Sequence, residues 1–206
     1  VKFLDLKKMT GEIISRGPDD QGIYISPDRK VGLANRRLAI IDLSAKGHQP
    51  MGYKNRYWIT TNGEIYNYLE EKNKLEKAGY NFKSNCDTEV ILALYDKYGI
   101  SCLKHLRGMF AFAIYDDKEK VIFLARDRIG KKPLKYYRDG NVFIFASELK
   151  AILTQKEVKV TPDWQAIHHY LTYVYAPSPM TGFEGISKLE AGHYLMIDLK
   201  RKSIIK

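Results

Sequence analysis

GMFAFAIYDDKEKVIFLAR, Gly108–Arg126, is the stretch whose pattern decides the fold. Two runs rich in aromatic and aliphatic residues, Met109–Tyr115 and Val121–Arg126, flank the turn residues Asp116-Asp117-Lys118. Short apolar runs separated by such a turn predict an antiparallel hairpin, and the length of the runs marks it as the centre of a sheet. Neither run approaches the ~20 apolar residues needed to cross a bilayer.

The same rhythm continues on both sides. Downstream, Leu134–Tyr137 and Val142–Ala146 are separated by Asp139-Gly140-Asn141, and His193–Asp198 supplies a last strand. Upstream, Tyr24–Ile25, Val31–Ile41 and Tyr57–Thr61 read as strands. Two helices interrupt them. One is predicted from Asn67, as N-cap with Glu70 three residues on, to Ala78 before Gly79. The other runs from Thr88 to Tyr98, with Val90, Ile91, Leu94, Tyr95 and Tyr98 on one face and Gly99 closing it. A short helix near Glu148–Leu153 and another over Trp164–Tyr173 precede and follow Thr161-Pro162-Asp163, ahead of the Pro-rich Ala176-Pro177-Ser178-Pro179. Antiparallel strands with helices segregated onto their faces define an α+β class.

At 206 residues the chain suits one domain with a substantial core. The net charge of +10 raises the question of a nucleic-acid partner. Only ten of the 34 basic residues are arginine, and the lysines are mixed with acids, as in Glu70-Glu71-Lys72-Asn73-Lys74-Leu75-Glu76-Lys77. That is a solvated helix face, so no nucleic acid and no membrane are expected. Two cysteines make no disulfide framework, and a reducing, cytoplasmic setting is expected. No His/Cys/Asp cluster has metal-ligand spacing and no phosphate-binding loop is present, so the domain is expected to hold neither metal nor cofactor.

Four clusters carry polar chemistry. Gly17-Pro18-Asp19-Asp20 is sufficiently explained as a turn. In Asn35-Arg36-Arg37-Leu38-Ala39-Ile40-Ile41-Asp42, alternation turns one arginine toward the interior, where it needs a protein carboxylate or an anionic ligand. In Thr61-Asn62-Gly63-Glu64, Asn-Gly reads first as a type I′ turn. A helix follows it, however, and a strand-to-helix turn of this kind can aim an amide and a backbone N–H at one point, as an oxyanion hole does. Asp87, ahead of the second helix, is either an N-cap or a carboxylate for a substrate ammonium. Cys86 and Cys102 read as core thiols rather than nucleophiles.

Taken together and in order, RGPDDQG, RRLAIIDLSAKGHQPM, TNGEIYNY, CDTEVILALY, LRGMFAFAIYDDKEKVIFLARDRIGKKPL and FASELKAIL resemble class II glutamine amidotransferases, from Met9 to Asp198. The GMFAFAIYD and LARDRIGKKPL segments are similar to the asparagine synthetase branch. The resemblance implies an N-terminal-nucleophile hydrolase fold, two antiparallel sheets packed face to face between helical layers. It implies hydrolysis of L-glutamine by a cysteine at the first position of the processed chain, whose own α-amine acts as base. Asn62 and Gly63 would stabilise the oxyanion, Arg37 would clamp the substrate α-carboxylate, Asp87 would pair with its α-ammonium, and backbone atoms of Ile41 and Glu64 would line the pocket.

The chain departs from that pattern in beginning at Val1, without the Met-Cys-Gly-Ile-like start and first strand, so as written it is expected to lack its nucleophile. Ser15 stands where a histidine often precedes RGPD, and Lys135 where an aromatic is usual. Residues 1–206 are expected to form the amidotransferase domain, with 161–206 its final elements and the run into a C-terminal synthetase domain of the same polypeptide. ATP and magnesium are expected only in that second domain, and a homodimer is compatible with the resemblance. Competing readings are an amidotransferase for a sugar-phosphate or phosphoribosyl acceptor, and a non-catalytic glutamine-binding module.

Overall fold

The computed structural model describes residues 1–140 and 142–206. In chain order the elements are α1 (Phe3–Gly11), β1 (Asp20–Ile25), β2 (Gly32–Arg37), β3 (Met51–Tyr53), β4 (Tyr57–Ile65), α2 (Tyr68–Lys77) and α3 (Asp87–Tyr98). They continue with β5 (Gly108–Asp116), β6 (Val121–Arg126), β7 (Lys135–Asp139), β8 (Val142–Ala146), α4 (Leu149–Leu153) and α5 (Trp164–Tyr173). The last are β9 (Ile186–Lys188), β10 (Tyr194–Asp198) and β11 (Ser203–Ile205).

The hairpin read from Gly108–Arg126 forms, with Phe112 opposite Ala125 and Ile114 opposite Phe123. It is the middle of a six-stranded antiparallel sheet, β11-β10-β6-β5-β4-β3. Alternation along β5 divides the core. Phe110, Phe112 and Ile114 pack with Val90, Ile91, Leu94 and Tyr95 of α3 on one face. Ala111, Ala113 and Tyr115 face Val31, just before β2, Leu33 of β2, Leu134 and the β7–β8 hairpin on the other. A strand covered on both faces reads as one continuous apolar run, which is why this segment stands out in the sequence.

Opposite the large sheet lie the β1–β2 hairpin and the three strands β8-β7-β9. Their outer side is covered by α4, whose Leu149, Ile152 and Leu153 pack with Tyr137, Ile144 and Ile186, and by α1, which touches β1, β2 and α4. The layers run helix, sheet, sheet, helix, as the α+β expectation requires.

Four local readings need correction. The α1 helix was not legible, because only Leu6 and Thr10 of it are buried and its apolar stripe is weak. The strand expected over Val31–Ile41 ends at Arg37, since the chain then turns through Asp42, whose φ is +56°. Asn67 precedes α2 but does not cap it. Its amide donates to the His105 carbonyl (2.8 Å) and accepts from the Arg107 N–H (2.9 Å). Asn62-Gly63 forms neither a hairpin turn nor a strand-to-helix turn, because both residues lie inside β4. Asn141, in the turn read between β7 and β8, lies outside the described residues. Of residues 161–206, β9 pairs with β7 and β10 lies between β6 and β11, so this stretch is built into both sheets.

Candidate active site

The site is organised by the edge of β4. Strand β3 covers that edge only as far as Ile59. Beyond it, side chains take the place of a neighbouring strand. The N–H of Thr61 donates to Gln49 Oε1 (2.7 Å) and the N–H of Ile65 donates to Asp87 Oδ2 (2.9 Å). Backbone N–H groups alternate edges with a two-residue period, so the N–H of Gly63 points the same way, between these two acceptors. Gly63 itself is required: its φ is +149°, and a Cβ there would lie 2.0 Å from the Met109 carbonyl oxygen on β5.

Asn62 pairs with Ala111 and so shares the face that looks toward the second sheet. Its Nδ2 approaches Ser147 Oγ at 3.4 Å, just beyond β8. The side chain borders a cleft of about 790 Å³ between the sheets, lined also by Arg16, Asn35, Thr61, Ala146 and Ser147. Arg16 pairs with Glu148 (2.6 Å) at its rim.

Gln49 ties two further elements to this edge. Its Oε1 also accepts from Asn35 Nδ2 of β2 (3.3 Å), and its Nε2 donates to Thr88 Oγ1 of α3 (3.3 Å). Asn35 reaches Thr60 Oγ1 (3.0 Å) and the Thr61 carbonyl (3.2 Å) as well.

Arg37, at the end of β2, is half-buried. It donates to the carbonyls of Ser44 and Ile41 (3.2 Å each) and of Asp42. The sequence left a protein carboxylate or a ligand as its partner. Among the described residues neither Arg37 nor Arg36 pairs with a carboxylate; Arg36 Nε instead donates to the Thr10 carbonyl (3.3 Å). Loop carbonyls orient the Arg37 guanidinium, and the Asp42 carboxylate acts on it through space without a direct contact, so its donors are not taken up by an ion pair.

Asp87 is the first residue of α3 and is only 6% exposed. It does not cap the helix by its side chain; that carboxylate instead receives the Ile65 N–H and, at 3.5 Å, the Cys86 thiol. Burial raises its pKa above the usual carboxylate value, and the neighbouring Glu64 carboxylate pushes the same way, against the hydrogen bonds it receives. An ionised carboxylate so placed gains from an incoming cation.

The arginine and the aspartate are joined by one further bridge. Asp42, whose carbonyl receives Arg37, accepts the N–H of Asn85 on Oδ2 (2.9 Å), two residues before Asp87. Residues 62, 63 and 64 lie on β4 and Asp87 bonds to its edge at Ile65, while Arg37 is connected to the Asp87 segment through Asp42 and Asn85, and Ile41 contributes its carbonyl to the Arg37 loop. The reading of sequence alone missed Gln49, Asp42 and Ser147. Their signals were the GHQPM, RRLAIID and FASELKAIL segments, in which nothing local distinguishes a network residue from a turn residue.

Neither thiol is suited to attack. Burial raises the pKa of Cys86, and that of Cys102 is pushed up to about 12 by burial. Among the described residues no group of three or more His, Cys, Asp or Glu is placed to hold a metal ion.

Residues 2–206 match the glutamine amidotransferase domain family. The chain belongs to that family. Its relatives include a Methanocaldococcus jannaschii protein named among the glutamine-hydrolysing asparagine synthetases, 45% identical over 98% of this chain and 42% of that protein. They also include glutamine-hydrolysing asparagine synthetases 1 and 3 of Bacillus subtilis. These are 40% and 37% identical, over 93% and 92% of this chain and 30% and 31% of their own. The chain therefore spans well under half the length of these relatives. In three dimensions it is similar to the glutamine phosphoribosylpyrophosphate amidotransferase of B. subtilis. The TM-score is 0.56 at 21% identity, over 85% of this chain and 34% of that one. At that identity the likeness concerns the fold, which is the N-terminal-nucleophile hydrolase type.

Proposed function

We propose that this amidotransferase domain hydrolyses L-glutamine to glutamate and ammonia, and that it serves an asparagine synthetase. The observation that carries the reading is the β4 edge. Asn62 and Gly63 lie on it, a buried aspartate of raised pKa bonds to it, and a half-buried arginine with no direct carboxylate contact among the described residues is linked to that aspartate's segment through Asp42. Glutamine presents an α-carboxylate, an α-ammonium and a carboxamide, and these groups complement all three. Arg37 binds the carboxylate, Asp87 the ammonium, and Asn62 Nδ2 with the Gly63 N–H the oxygen of the side-chain amide.

The reaction requires a thiol other than Cys86 and Cys102, for which the family resemblance calls on an N-terminal cysteine. Strands β2 and β8 each pair with one neighbour among the described residues, and residues of both line the cleft. An extended segment adding between them would carry that cysteine to Asn62 and satisfy both edges. Its α-amine, of pKa about 7.7–8.0, takes the thiol proton. The thiolate adds to the glutamine amide carbon and the oxyanion sits on Asn62 and Gly63. The α-ammonium returns that proton to the amide nitrogen, neutral ammonia leaves, and water cleaves the γ-glutamyl thioester to glutamate and the free thiol. The ammonia passes to an ATP- and magnesium-dependent synthetase domain of the same polypeptide, which amidates aspartate. Two unpaired buried thiols are in keeping with a cytoplasmic enzyme, and among the described residues no helix is long and apolar enough to cross a membrane.

The full-length protein tests this directly. It should release glutamate from L-glutamine and form asparagine from aspartate and ATP-magnesium, and Arg37→Ala should raise KM for glutamine about a hundredfold while kcat changes little. Glutamate release with no asparagine formed would point to another acceptor, and no glutamate release to a binding module.

A further inference from the structure

We infer that Asp42 is a positioning residue for glutamine recognition, the strut that sets Arg37 relative to Asp87; this rests on the proposed function. Asp42 stands on the exposed loop between β2 and β3, in a left-handed conformation (φ +56°) that few residues other than glycine, asparagine and aspartate adopt. Its carbonyl and both carboxylate oxygens are engaged. Its carbonyl and that of Ile41 both receive Arg37 Nη2. Oδ1 accepts the N–H (3.1 Å) and the hydroxyl of Ser44, whose own carbonyl receives Arg37 Nη1. Oδ2 accepts the Asn85 N–H. These bonds hold the carboxyl below its usual pKa, the Ser44 hydroxyl contributing most, so it stays ionised throughout the neutral range.

The consequence is geometric. The three carbonyls that hold the guanidinium belong to a turn whose shape is set by the Asp42 carboxylate. That turn has little slack, because a Cβ on Gly47 would lie 2.0 Å from Arg37 Nη2. The other carboxylate oxygen joins the turn to Asn85, in the segment that leads directly into Asp87. The α-carboxylate and α-ammonium of an amino acid sit on one carbon, so the spacing of Arg37 from Asp87 decides how well both are held. The Asp42 side chain bonds to Ser44 in the loop that holds Arg37 and to Asn85 in the segment that leads to Asp87. It touches neither the reacting amide nor the nucleophile, so its influence falls on binding rather than on the chemical step.

Three variants of the full-length protein test this, with KM and kcat for L-glutamine measured and folding followed by calorimetry. Asp42→Gly keeps the backbone conformation and removes the carboxylate; it should raise KM about tenfold or more with kcat within about threefold. Asp42→Asn tolerates the left-handed backbone but keeps only one of the two acceptor oxygens, and should recover only part of that loss. In Arg37→Ala, adding Asp42→Gly should cost no more than about a further threefold, because both changes disable one clamp. Asp42→Gly with wild-type KM overturns the inference, as does a loss that falls on kcat alone or that multiplies with Arg37→Ala. If Arg37→Ala itself leaves KM unchanged, the proposed function fails first. If Arg37→Ala raises KM and Asp42→Gly does not, only the role of Asp42 falls.

Discussion

Asp87 accepts the backbone N–H of Ile65 at 2.9 Å across 22 residues of chain, which fixes the first residue of α3 against the free edge of β4. The helix start therefore holds the carboxylate beside Glu64 and one N–H away from Gly63. A buried anion next to another anion is costly unless a cation arrives, and that cost is what makes the position suitable for an ammonium.

This arrangement has a pH signature. Because burial and Glu64 raise the Asp87 pKa above 3.8, its charge is lost on acidification earlier than that of an ordinary aspartate. KM for glutamine should rise as pH falls through the Asp87 pKa, above 3.8, a change distinct from the loss of kcat as the α-amine base is protonated. In Asp87→Asn, KM should be high at every pH and that rise should disappear, while the loss of kcat set by the α-amine remains. For stability the sign is the reverse: a raised pKa favours the fold below the unfolded pKa, and that contribution is lost as pH rises through the folded pKa. Asp87→Asn should then be no less thermally stable near pH 7 than the parent. A rise in KM on acidification that is unchanged in Asp87→Asn would show that another group titrates.

Asn62→Ala should act on kcat. Its amide hydrogen bond strengthens as the oxyanion forms, and loss of one such donor costs about 2.7–4 kcal/mol, or about a hundred- to a thousandfold. Steady-state kinetics with L-glutamine should give that loss in kcat with KM changed only a few-fold. A pure KM effect would place Asn62 in ground-state binding.

Gly63→Ala should be disruptive beyond the site. The added methyl meets the Met109 carbonyl at 2.0 Å in the central pair of strands, where backbone on both sides is held by the ladder. Overpacking of this kind costs about 1–3 kcal/mol, to which the strained φ adds. Thermal unfolding should shift down by several degrees, with glutamine hydrolysis lost even at temperatures where the protein remains folded. Parent-like stability would show that β4 is free to shift.

The two thiols should be silent. Cys86 and Cys102 are buried and protonated at neutral pH, so iodoacetamide followed by peptide mapping should leave both unmodified in the folded protein and modify both in guanidinium. Cys86→Ser and Cys102→Ala should keep glutamine turnover within a few-fold of the parent. A thousandfold loss from either would identify it as the nucleophile.

Much of this architecture was legible in the sequence because it follows local rules. The Gly108–Arg126 hairpin announces itself by two apolar runs and a polar turn, and α3 by its apolar face and Gly99. The motifs around Arg37, Asn62 and Asp87 were legible as well, since each is contiguous. Their local interpretations fared worse. Asn62-Gly63 looks like a turn because the dipeptide favours one, yet pairing with Ala111 and Phe110 of β5 holds it extended. Asp87 looks like an N-cap because it begins a helix, yet its carboxylate serves a strand.

What the sequence alone determined is which segments become strands and helices, through a period of two or of 3.6 residues and the residues that stop each run. What only the tertiary structure decided is the exposed edge of β4. That edge exists because β3 stops opposite Ile59, and it is filled by Gln49 and Asp87, which reach it from other parts of the chain. No local pattern encodes where a neighbouring strand will run out. Backbone N–H groups left there must find acceptors wherever the packed chain supplies them.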